Sequence, residues 1–133
     1  MGVPTVAAPP VAGGVDWLAM KAKLFRGLAD PTRLRCLEVL RDGARCVSDV
    51  VEATGLSQPT VSMHLVCLWE CGLVDRDRRG RFVYYTIADA RVHAILGEGD
   101  DLLIRVGDQI YVCTRYPERT DEPSVRVVIG EAL

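Results

Sequence analysis

Apolar and polar positions along the chain alternate in a pattern that predicts five helices and one hairpin. Trp17, Met20, Leu24, Phe25 and Leu28 recur at helical spacing and predict a first amphipathic helix. In "ADPTRLRCLEVLRDG", Asp30 can cap, Pro31 suits the first helical position, Leu34, Leu37 and Leu40 are apolar positions, and Gly43 can end the helix in a left-handed conformation. "VSDVVEATG" reads as a short third helix with Ser48 as N-cap and Gly55 as its stop. The fourth begins at Ser57, with Leu56 and Val61 spaced as a hydrophobic staple, and ends near Cys71 at Gly72. In "LVDRDRRGRFVYYTIA" two β-prone runs flank Arg79 and Gly80, with Phe82, Tyr84 and Thr86 on one face and Val83, Tyr85 and Ile87 on the other. Asp89 caps a fifth helix through Val92, Ile95, Leu96, Leu102 and Leu103, which Gly97 and Gly99 weaken and leave without a defined end.

Two helices separated only by "GLS" form a helix-turn-helix arrangement, in which the second helix is the one that normally enters the major groove. With the hairpin after it, the expected fold class is mainly α with a β-hairpin wing, a winged helix-turn-helix. Three regions follow: a disordered Pro/Gly/Ala-rich arm over residues 1–15, a folded domain over 16–106, and a tail over 107–133 with some alternation at Val125, Val127 and Ile129.

At 133 residues the chain is the size of one compact domain, and no apolar run approaches the roughly 18 residues of a membrane span. No membrane association is expected. Five cysteines without a recognisable secretory signal point to a reducing, cytoplasmic setting, where thiols act as core residues, metal ligands or redox groups. The net charge of −2 argues against a nucleic-acid partner until it is located. Residues 1–97 carry twelve Lys/Arg against ten Asp/Glu, and residues 98–133 carry four against eight, so an acidic tail hides a mildly basic body. Within that body "RDRRGR", Arg76 to Arg81, is a local footprint suited either to phosphates or to a solvated hairpin.

The fourth helix carries the candidate chemistry. At about 100° per residue, Val61, Leu65 and Leu68 fall within roughly 60° and form the line that faces the core. Thr60, His64, Cys67 and Cys71 fall on a second line centred about 100° from the first. Cysteine is a common core residue, so either thiol alone could be filler, whereas two thiols in register and off the core line suit a ligand pair. The N-terminal half offers Ser57, Gln58, Thr60, Ser62 and His64, side chains able to contact phosphates and base edges.

"LADPTRLRCLEVL", "GLSQPTVSMHLVCLWECGLV" and "RRGRFVYYTIAD" together resemble the ArsR/SmtB family of bacterial metal-responsive repressors, over residues 17 to about 106. The resemblance implies a homodimer joined through its first and last helices, bound to double-stranded operator DNA and released by metal. It also implies that Ser57, Gln58, Thr60, Ser62 and His64 face DNA and that Arg79 and Arg81 reach flanking phosphates. The family's zinc pattern on the last helix, started at Asp89, meets Arg91, Leu102 and Arg105, which cannot bind metal. Its CVC motif on the third helix reads "CVSDV", keeping Cys46 but placing Ser48 at the second thiol. "LVCLWECGL" resembles instead the CmtR-like cadmium/lead sensors of the family, which implies Cys67, Cys71 and a third ligand, Cys113 in "YVCTRY". Whether Cys113 or Cys46 supplies that third thiolate, and from which protomer, stays open. Cys36, beside Leu37, reads as core.

Three thiolates make a soft site that accepts Cd(II) or Pb(II), with Hg(II) and As(III) as alternatives, in preference to Mg(II) or Mn(II). A thiol-based redox repressor is a rival reading, opposed by Glu70 and by a helix C-terminus next to the pair. An enzyme is not expected: C-x-x-x-C is not the redox C-x-x-C, the chain has only two histidines, and no nucleophile, base and orienting residue form a set.

Overall fold

The computed structural model describes residues 16–115, and the expected N-terminal arm and the Val125–Ile129 alternation lie outside them. Its elements are α1 (Trp17–Leu28), α2 (Pro31–Val39) continued by a 3₁₀ turn (Leu40–Asp42), β1 (Arg45–Cys46), α3 (Val47–Thr54), α4 (Gln58–Glu70), β2 (Val74–Arg79), β3 (Phe82–Ile87) and α5 (Ala90–Val112). The three strands form an antiparallel sheet in the order β1-β3-β2.

Local chemistry sets most of the helix ends. Asp16, Asp30, Ser57 and Asp89 each accept a backbone N–H from the first turn of the helix they precede, and Pro31 stands at the start of α2, where its missing N–H costs nothing. Gly55 stops α3 at φ +71°, and Gly72 follows α4 at φ +78°, conformations that glycine adopts without penalty. At Gly43 the expectation needs correcting. α2 gives way to the 3₁₀ turn before Gly43, whose φ of +129° with ψ −170° lies outside the left-handed helical well. The N-cap of α3 is Cys46, two residues before the expected Ser48: the Asp49 carboxylate accepts the Cys46 N–H at 3.2 Å.

Val50 of α3, Val61, Leu65 and Leu68 of α4, Leu37 and Leu40 of the α2 region, Val74 and Tyr85 of the wing, and Val92 and Leu96 of α5 close one core. Val83 and Ile87 pack against it beside Tyr85, so of the two expected faces of β3 this is the one that turns inward. Among these residues is Cys36, fully buried, with its thiol pushed up to about 11, chiefly by desolvation.

α5 runs without interruption through Gly97, Gly99 and Gly107, so residues 107–112 belong to a helix and not to a tail beginning at 107. Its first half is held by the core contacts of Val92 and Leu96 and by Arg41, which donates to Asp100 at 2.7 Å and to Glu38 at 2.9 Å. Its outer positions Leu102, Leu103, Ile104, Ile110 and Tyr111 are exposed, as are Leu18 and Phe25 of α1. Between α1 and the start of α5 lies an open apolar groove of about 300 Å³ lined by Leu24, Leu28, Val92, Ile95 and Leu96. So much uncovered apolar surface on two helices is characteristic of a face made for another chain.

Candidate nucleic-acid interface and thiol site

α4 follows α3 after the three residues Gly55–Ser57. Ser57 Oγ accepts the Thr60 N–H at 3.3 Å and donates to Thr60 Oγ1 at 2.8 Å, fixing the first turn. Ser57 and Gln58 are exposed, and Thr60 and Ser62 are half-buried at the edge of the outward face. His64 is different. It is 6% exposed and sits with Val61, Leu65 and Leu68 on the buried side of the helix, so the expectation that it faces DNA is corrected. The reason is angular: four residues advance about 400°, which leaves His64 only about 40° from Leu68 and inside the core arc. Met63, 60% exposed on the opposite side, is the outward residue of this turn that polarity-based reasoning passed over. Its position about 160° from Leu65 was the available signal.

In the wing, Gly80 and Arg81 form the two-residue turn between β2 and β3, with Arg79 paired to Phe82 and Gly80 at φ +64°. Arg79 lies over the Tyr84 ring at 4.9 Å and its Nε donates to Asp77 at 3.3 Å. Arg78 Nε donates to the Gly80 carbonyl at 3.3 Å. Arg81 is exposed at the tip and makes no hydrogen bond or ion pair among the described residues. The turn therefore aims cationic groups outward from a stiff hairpin, an arrangement suited to phosphate contacts. Arg76, at the base of β2, is turned the other way: its guanidinium lies 3.5 Å from the centroid of the Trp69 ring on α4.

The thiols sit at the other end of α4. Cys67 is half-buried, and Cys71, the C-cap, is exposed. The Cys71 N–H donates to the Cys67 carbonyl at 3.0 Å, so the two cysteines stand one helical turn apart at the end of α4. Partial desolvation, the adjacent Cys67 thiol and Glu70 raise the Cys71 thiol above its ordinary range, and the Arg33 guanidinium partly opposes them. Two soft donors one helical turn apart fit a thiophilic ion, each losing a proton on binding. The third expected donor is not beside them in this chain. Cys113 is the C-cap of α5, and no group of three His, Cys, Asp or Glu side chains able to hold an ion occurs among the described residues. Cys46 is buried at the start of α3, its sulfur 3.1 Å from Ser48 Oγ.

Comparison with known proteins places this geometry. The family model for bacterial regulatory proteins of the arsR family matches residues 30–76, which span α2, α3, α4 and the start of β2. A probable mercury resistance operon repressor of Streptomyces lividans is 41% identical over 96 residues, covering 72% of this chain and 77% of that protein. The chain belongs to the ArsR family. The transcriptional regulator CmtR of Mycobacterium tuberculosis is 39% identical over 114 residues, covering 84% of this chain and 86% of its own. Among solved structures, the homodimeric winged helix-turn-helix DNA-binding domain of a possible ArsR-family regulator from Mycobacterium bovis aligns with a TM-score of 0.58 at 32% identity, over 76% of this chain and 94% of that one. The winged helix-turn-helix assignment therefore stands on sequence and on structure, and this ArsR-family chain is similar to transcriptional regulators. No helix among its described residues is long and apolar enough to cross a membrane.

Proposed function

We propose that this ArsR-family protein is a cytoplasmic, metal-sensing transcriptional repressor that binds operator DNA as a homodimer and releases it when Cys67 and Cys71 hold a soft, thiophilic ion. The observation that carries the reading is the pair of thiol-bearing residues one turn apart, with the Cys71 N–H on the Cys67 carbonyl, at the end of the helix whose other end presents Ser57, Gln58, Thr60 and Ser62. One rigid element thus bears both the reading surface and the sensing pair. Arg79 and Arg81 extend the DNA contact to flanking phosphates from the wing.

The third thiolate is assigned to Cys113 of a second copy of the chain. Cys113 ends the long helix α5, whose apolar face is uncovered, and a homodimer brings a second such helix to the assembly. The homodimeric state of the Mycobacterium bovis domain supports that arrangement. Cys46 suits the role less well, because it is buried and engaged with Ser48. Among soft ions Cd(II) and Pb(II) are favoured on the likeness of "CLWEC" to the cadmium/lead sensors. Hg(II) or As(III) is the second reading, favoured by the 41% identity to a probable mercury resistance operon repressor. A redox role is disfavoured because Cys71 is held protonated, whereas a reactive sensor thiol needs to ionise readily.

In the metal-free chain the Ser57 cap and the core line of Val61, Leu65 and Leu68 hold the reading half in place. When bound, the ion would supply a strong cross-link between thiolates, and Cys67 and Cys71 would give up their protons to hold it. Any tilt that this imposes on the C-terminal half of α4 is carried to the reading half, and both half-sites of a dimer lose register together. Ultraviolet thiolate-to-metal absorption during titration of Cd(II) into reduced protein tests the site: the band should appear for the wild type and be lost in Cys67→Ser and Cys71→Ser, and its persistence in both would overturn the assignment.

A further inference from the structure

We propose that Trp69 and Arg76 form the link that makes the wing follow the thiol end of α4, so that Arg76 is a positioning residue and not a phosphate contact. The inference rests on the metal-sensing reading above and concerns how that site reaches DNA.

Trp69 lies midway between Cys67 and Cys71 in sequence, and at about 100° per residue it stands roughly 160° around the helix from each of them. The thiols therefore occupy one flank of the last turns of α4 and Trp69 the other. On that other flank the Arg76 guanidinium covers the indole ring at 3.5 Å, the tighter of the two cation–aromatic contacts among the described residues. Arg76 belongs to β2 and pairs with Tyr85 of β3, which is buried in the core, so the two side chains leave the same, inward face of the hairpin and hold it to α4 and the core at this level. Beyond it, Asp77 through Phe82 are exposed and have no core contact to orient them.

The backbone route between thiols and wing is also short. After Cys71, Gly72 N–H donates to the Trp69 carbonyl and Leu73 N–H to the Leu68 carbonyl, each at 3.0 Å, and β2 begins at Val74. On the β3 side the hairpin is anchored by pairing with β1 and by the core contacts of Val83, Tyr85 and Ile87, and the stacked pair ties its β2 edge to α4. A roll of α4 imposed from the cysteine flank moves Trp69 by a comparable amount in the opposite sense and a tilt moves it in the same sense, and in either case Arg76 carries the displacement into β2. The tip bearing Arg79 and Arg81 then shifts with the reading helix, and phosphate and base contacts are lost together.

Three measurements on the full-length dimer test this: Cd(II) uptake by thiolate absorption, operator affinity with and without Cd(II), and the salt dependence of metal-free binding. Trp69→Leu and Arg76→Gln should take up Cd(II) with wild-type stoichiometry. Their metal-induced loss of operator affinity should fall below about threefold, against the 5–150-fold typical of such couplings. Trp69→Phe, which keeps an aromatic face for the guanidinium, should restore most of it. The salt slope should be unchanged in Arg76→Gln, because no phosphate contact is removed. In a Trp17→Phe background, where Trp69 is the sole tryptophan, Cd(II) should change its emission, and Arg76→Gln should abolish the change. Wild-type release in Trp69→Leu or in Arg76→Gln would overturn the inference, as would a salt slope reduced by about one in Arg76→Gln. If Trp69→Leu does not fold, Arg76→Gln decides alone. If the wild type binds Cd(II) without releasing the operator, the metal-sensing reading fails and this inference fails with it.

Discussion

The Cys71 amide donates to the Cys67 carbonyl at 3.0 Å, in the last closed turn of the helix that begins at the Ser57 cap. On the proposed function, sensing chemistry and operator reading share one rod with no joint between them. Force applied to its thiol end has few places to go except the reading end and the wing.

The first prediction concerns pH. Cys71 titrates above its ordinary range, so near neutrality its thiol is protonated, and binding an ion expels that proton. Apparent affinity should rise with pH, falling on acidification by up to roughly tenfold per unit for each thiol proton the ion displaces. Competition against a chelator of known affinity at several pH values measures the slope. A flat profile would exclude thiolate ligation.

Thiol reactivity should divide the five cysteines. Cys36 is fully buried and its thiol is pushed up to about 11, so almost none is thiolate at neutral pH; Cys46 is also buried. Native alkylation followed by peptide mass spectrometry should leave these two unmodified and label the accessible Cys67, Cys71 and Cys113. Pre-incubation with Cd(II) should protect Cys67, Cys71 and Cys113 and leave the buried pair unaffected.

Dimerisation should depend on the uncovered apolar helices. Phe25→Asp on α1 or Leu103→Asp on α5 places a charge on an exposed apolar face, where little folding stability is at stake. Sedimentation should show monomers that retain helical circular dichroism. Operator affinity should drop on the order of a hundredfold or more, because the second half-site is no longer tethered to the first.

The wing makes an ionic-strength prediction. Arg79→Gln and Arg81→Gln should each lower the slope of log affinity against log salt by about 0.9 without changing the preferred operator, because phosphate contacts carry no base information. A sequence-dependent loss would instead mean that the tip reads base edges.

Most of the fold was legible from spacing and punctuation. Asp30–Pro31, Ser57, Gly55 and Asp89 are local signals whose chemistry acts within one turn, and the structure uses each as expected. What escaped depended on partners distant in sequence. β1 is only two residues long and exists because Arg45 and Cys46 pair with Tyr85 and Tyr84, so no periodicity could reveal it, and it also makes Cys46 rather than Ser48 the cap. α5 outlasted its glycines through tertiary contacts such as Arg41 with Asp100. Within the site, the thiol pair could be read from a spacing of four. His64 was misplaced because its polarity outweighed its angle, and Arg76 looked like one more phosphate-binding arginine until the Trp69 ring was found against it.

The central claim is that Cys67 and Cys71 couple soft-metal binding to operator release. Fluorescence anisotropy of a labelled operator fragment from the upstream intergenic DNA, titrated with Cd(II), Pb(II), Hg(II) and arsenite, tests it most directly when wild type, Cys67→Ser and Cys71→Ser are run side by side. All three proteins should bind the metal-free operator with similar affinity, and only the wild type should lose about 5–150-fold of it when the right ion is added. Equal release by wild type and either serine variant, for every ion, would contradict the account.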